Sequence, residues 1–90
     1  MIEFGGNVTL EQALYEDNQR CFRQTVNHYG YETLQDERRG PYVRCEEQED
    51  FFNLMEILVK EHFDLRDLQM DFGVSEDTRF IQVFVKPPKP

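Results

Sequence analysis

Apolar residues in this chain recur first with the 3.6-residue period of a helix and then with the two-residue period of a strand, and the switch occurs twice. Each αββ stretch made this way has one apolar helix stripe and one apolar hairpin face that it cannot cover alone, but that a second such stretch can cover. The pattern predicts an α+β domain: an antiparallel sheet of four or five strands, with two helices packed on one face, in the order (β)αββαββ. The optional strand is Met1–Phe4, which alternates apolar and polar residues before Gly5-Gly6.

Thr9, followed three residues later by Gln12, is a capping-box pattern that starts the first helix. On a helical projection Leu10, Leu14, Cys21, Thr25 and Tyr29 share one side, flanked by Phe22 and interrupted by Asn18, and Gly30 is the natural stop. Tyr31–Gln35 and Tyr42–Cys45 read as a hairpin around a loop punctuated by Gly40-Pro41. Acid at Glu46–Asp50 suits the positive end of a second helix, which is expected to run to about Phe63. Its apolar side is Phe51, Phe52, Leu54, Met55, Leu58, Val59 and Phe63, with Ile57 projecting away. Leu68, Met70 and Phe72 alternate with Asp67, Gln69 and Asp71 as a half-buried strand. Ser75–Thr78 turn the chain, and Arg79–Lys86 return as a strand inside the sheet. Residues 1–86 are expected to form the one domain, with 87–90 a disordered Pro-rich tail. Both copies of the switch carry a His, an aromatic and a Leu-Gln pair 34 residues apart, at His28–Gln35 and His62–Gln69, the trace expected of an internal repeat.

Charge narrows the function classes. Ten Lys and Arg stand against 18 Asp and Glu, a net −8, which repels phosphate backbones and anionic membranes. Direct nucleic-acid and membrane binding are therefore not expected. Eight Phe and four Tyr supply enough apolar mass to fold, so the acid is not that of a disordered tail. No apolar run approaches the ~20 residues of a membrane span. The start of the chain lacks the basic and apolar regions of a secretory signal, so a cytoplasmic location is expected.

Chemistry-bearing motifs are sparse. Cys21, His28, Cys45 and His62 are separated by six, sixteen and sixteen residues, unlike the close ligand pairs of structural zinc sites. His62 projects into the apolar side of the second helix as a core histidine. Cys21 and Cys45 read as small hydrophobes, not as a disulfide. The lone serine, Ser75, lies among acids with no base beside it, and no glycine-rich phosphate loop is present. Neither enzymatic activity nor a cofactor or metal is expected.

Acidic clusters are the remaining signal: Glu46, Glu47, Glu49 and Asp50; Glu32, Asp36 and Glu37; Asp64, Asp67 and Asp71; Glu76 and Asp77. Plain solubility explains many such surfaces. Carboxylates repeating along a helix or strand at roughly 5–7 Å also match phosphate spacing, so a folded acidic face can fill a basic groove that normally holds nucleic acid. Tyr31 and Tyr42 would add aromatic anchors, with Tyr15 and Phe52 further candidates. The function expected is a non-enzymatic inhibitor or decoy that occupies a basic, nucleic-acid-handling protein. Small virus-encoded antagonists of CRISPR and restriction systems share this size and charge, a likeness of character carried by no motif. The alternative is a homodimeric adaptor or small chaperone that binds a protein partner through an apolar helix face or an edge strand.

Overall fold

In the computed structural model, which describes residues 9–88, the chain runs α1 (Leu10–His28), β1 (Leu34–Asp36), β2 (Gly40–Cys45), α2 (Gln48–Lys60), β3 (Leu68–Ser75) and β4 (Thr78–Val85), with a short 3-10 turn at Leu65–Asp67. The strands form one antiparallel sheet in the order β1-β2-β4-β3, the α+β architecture anticipated from the periodicity. Met1–Phe4, the candidate fifth strand, lies outside the described residues. β4 is interior, paired with β2 on one side and β3 on the other.

Cross-strand partners fix the two faces. Val43 opposite Val83, Leu68 opposite Val85, and Cys45 opposite Ile81 point toward the helices. There they close a core with Phe22 and Val26 of α1 and Leu54 and Leu58 of α2. Those four helix side chains and Val83 are fully buried. Each such burial contributes roughly 1.5–3 kcal/mol relative to an exposed side chain. The other face is open, and a local stack protects it. Tyr42 lies on Phe84 with ring centroids 4.7 Å apart, and the Arg39 guanidinium sits 3.8 Å from the centre of the Phe84 ring. Phe84 is consequently buried on the side away from the helices.

Both helices end in the same closure. In α1 the Gly30 N–H donates to Asn27 O at 3.0 Å and the Tyr31 N–H to Val26 O at 2.9 Å. In α2 the His62 N–H donates to Val59 O at 3.0 Å and the Phe63 N–H to Leu58 O at 2.9 Å. Gly30 and His62 are both left-handed, with φ 90° and 69°. These are Schellman closures, each followed by an aromatic folded back onto the core. The helix ends are thus 32 residues apart, as from Gly30 to His62, while the strands that follow start 34 apart, at Leu34 and Leu68.

The closure also corrects the reading of α2. The helix stops at Lys60, and Phe63 reaches the core from beyond its end, edge-on to Phe22 at 6.4 Å. His62 is exposed at the reversal point and is not a core histidine. Ile57 is half-buried and does not project outward, whereas Phe52 and Val59 are 58% and 54% exposed.

The core face of α1 also differs from the projected one. Leu10, Leu14 and Cys21 are exposed, and the inward stripe is Tyr15, Gln19, Phe22 and Val26. Gln19 disguised that stripe: its side-chain amide donates to Arg39 O at 3.2 Å and the Tyr15 hydroxyl to the same oxygen at 3.3 Å, so a polar residue serves an inward position. Thr9 caps the helix as expected, its hydroxyl accepting the Gln12 N–H at 3.1 Å.

Strand boundaries shift by one to three residues. β1 starts only at Leu34, and Gly40 and Pro41 belong to β2 instead of the loop; Pro41 occupies the early strand position where a missing N–H is tolerated. In β3, Leu68 and Met70 face the core as predicted, but Phe72 on the same face is 76% exposed, and Val74 is 72% exposed. The helical layer does not reach that end of the hairpin. Past β4 the Lys86 N–H donates to Asp67 O at 2.7 Å, and Pro88 is half-buried.

Candidate partner-binding groove

Only Glu46 and Glu47 link β2 to α2, so the start of α2 must lie at the exit of β2. Register then determines its neighbours: Cys45 pairs with Ile81, and Ile81 with Phe72. The acidic start of α2 is thereby brought beside the far end of the β3–β4 hairpin. Between them lies an open groove of about 560 Å³ whose lining includes Glu46, Glu47, Gln48, Phe72, Val74 and Ile81. Arg79, opposite Val74, also lines it. Phe52 and Val59 follow Gln48 by 4 and 11 residues and so continue the same side of α2 as an exposed apolar strip.

The predicted acidic residues divide into separate groups. Glu46, Glu47, Glu49 and Asp50 are exposed and stand together at the helix start, where the macrodipole favours anions. Glu46 lies 3.8 Å from Arg44 Nε, while Glu47, Glu49 and Asp50 make no ion pair among the described residues. Elsewhere two of the predicted carboxylates, Asp36 and Asp71, serve the fold. Asp36 accepts the backbone N–H groups of Arg38 at 2.8 Å and Arg39 at 2.9 Å, and these bonds, that from Arg39 foremost, hold its carboxyl below the usual range. Asp71 pairs with Arg39 on the open face. Glu32 and Glu37 are exposed around β1, away from the groove lining, and Asp67 closes the 3-10 turn.

Tyr31 and Tyr42 are engaged within the fold, whereas Phe52 is exposed. The Tyr31 hydroxyl donates to Asp50 O at 3.1 Å and its ring packs on the core, while Tyr42 is stacked on Phe84. Burial raises the Tyr31 pKa, with the nearby Asp50 charge adding to it. Gln48, Phe72, Val74, Arg79 and Ile81 are among the groove residues that sequence reasoning did not single out. The discernible signal was the two-residue link at Glu46-Glu47 together with strand register.

Groups able to do covalent or proton chemistry are dispersed. Cys21 is exposed and Cys45 buried, both as free thiols, and burial pushes the Cys45 thiol up to about 11 with a smaller push from Asp50. His28 lies edge-on to Tyr29 with centroids 5.4 Å apart, and Ser75 ends β3 opposite Thr78. Among the described residues no three His, Cys, Asp or Glu side chains gather as a metal set, and no helix is long and apolar enough to cross a membrane. The arrangement offers shape, apolar surface and negative charge. In comparisons with family models, curated proteins and solved structures, nothing matches this chain.

Proposed function

We propose that this chain is a non-enzymatic acidic binding protein that occupies a basic surface of another protein, acting as an inhibitor or decoy where that surface normally handles nucleic acid. The carrying observation is the clustering of Glu46, Glu47, Glu49 and Asp50 at one helix start, beside the open groove and apart from the carboxylates that serve the fold. Fixed like charges speed encounter with a basic partner and set its orientation, while the groove supplies apolar contact.

The test is competition. Proteins retained by the immobilised chain at about 50 mM salt are recovered, loaded with a fluorescent oligonucleotide and titrated with the chain; displacement is expected to weaken steeply toward about 200 mM. The triple variant Glu46→Lys, Glu49→Lys, Asp50→Lys is expected to lose displacement by at least about tenfold. Salt-insensitive retention, or an oligonucleotide that stays bound, overturns the reading.

A second reading, a homodimeric adaptor or small chaperone working through an apolar helix face, is favoured by the exposure of Phe52 and Val59. It requires a dimer in sedimentation that Phe52→Lys converts to monomer.

A further inference from the structure

We propose that the outer edge of β3, unpaired among the described residues, takes up an extended segment of the partner as an added strand, with apolar side chains of the segment over Phe72 and Val74 and basic residues toward the hairpin turn and the start of α2. This mode of binding rests on the basic-partner reading above and specifies how the partner is held.

β3 is an outer strand of eight residues, and its register with β4 is unbroken from Leu68 opposite Val85 to Ser75 opposite Thr78. Alternate residues of such a strand direct their N–H and C=O groups away from the sheet, a template for another strand. Edges are normally blunted by lysine, proline, a bulge or short length, and β3 has none of these. Its one charge, Asp71, is already paired with Arg39. At the opposite edge β1 has only three residues.

Side chains next to this edge define the occupant. Phe72 and Val74 are the most exposed large apolar residues among those described, and both line the groove. Four carboxylates, Glu46 and Glu47 across the groove and Glu76 and Asp77 in the hairpin turn, surround them against one cation in the groove lining, Arg79. Both turn residues are left-handed, with φ 47° and 69°, in a two-residue turn where Asn-Gly is the usual choice. The turn thus carries two acids where a less strained pair would close it. A second copy of this chain is also net −8 and is repelled as a whole, so complementarity selects a basic segment from a different protein.

The probe is a short synthetic peptide with an alternating valine–threonine centre and lysines at both ends, titrated into the isotope-labelled full chain. Saturable shifts and slowed amide exchange are expected along residues 68–75, with loss of binding of at least about tenfold in Phe72→Lys/Val74→Lys. Two comparison peptides need no variant: glutamates in place of the lysines, and a proline in the centre, should each abolish the effect. Shifts confined to the start of α2, or undiminished binding of the proline peptide, overturn strand addition. If the recovered basic partner still binds Phe72→Lys/Val74→Lys but not the Glu46/Glu49/Asp50 variant, strand addition fails while the basic-partner reading stands. A dimer of the chain alone that Phe72→Lys/Val74→Lys dissolves overturns the choice of partner in favour of a second copy.

Discussion

Gly73 of β3 lies beneath the ring of Phe80, its cross-strand partner, so closely that a Cβ at 73 would come 2.5 Å from Phe80 Cζ. The guanidinium of Arg44 covers the same ring, 4.1 Å from its centre. A glycine within a strand usually weakens it, so alanine would ordinarily stabilise this position. Here the sign reverses: Gly73→Ala displaces the ring and lowers stability by about 1–3 kcal/mol in a denaturant melt. A neutral or stabilising result would show that the ring moves aside freely.

α2 offers an internal comparison. Leu54 is fully buried, whereas Phe52 two residues earlier is largely exposed. Leu54→Ala should cost about 2–5 kcal/mol through the cavity it leaves. Phe52→Ala should stay within about 0.5 kcal/mol, although it removes the larger side chain. Equal losses would place the helix in a different rotation.

The side chain of Arg66, and then its backbone N–H, hold the Asp64 carboxyl at about 2, below its ordinary 3.8. In the unfolded chain the carboxyl returns to the ordinary value. Its contribution to stability is therefore complete above about pH 4 and is lost as pH falls toward 2. A carbon-detected titration should give the low midpoint, and Asp64→Asn should flatten the acid limb of the stability curve between these limits. A midpoint near the ordinary value in the folded protein would remove the pairing.

The thiols should behave unequally. Cys21 is exposed, while Cys45 is buried with its pKa raised. Near pH 8 a disulfide reagent should label one thiol promptly and the second only with unfolding. Cys21→Ser should remove the fast phase; fast labelling at Cys45 would mean that the sheet opens readily at β2.

Much of the architecture was legible because it depends on period and punctuation. Thr9 with Gln12, Gly30, and the turn at Ser75–Thr78 mark element ends by local chemistry. Burial was harder to read where a residue acts against its type. Gln19 faces inward because its amide donates to Arg39 O, and Phe72 is exposed on the helix-side face because the helical layer ends before it. The acidic cluster at α2 was visible as a run of letters. Which carboxylates were already engaged was not, since the partners of Asp36 and Asp71 are set by a turn and a cross-strand meeting that emerge only in the fold.

The central seam between β2 and β4 joins contributions from both αββ stretches: Phe22, Val26, Val43 and Cys45 from the first, Leu54, Leu58, Leu68, Val83 and Val85 from the second. Neither half owns a finished interior. Cleaving the peptide between Glu46 and Glu47 would therefore yield two fragments that are unstructured apart and regain the native sheet on mixing, each serving as the template for the other.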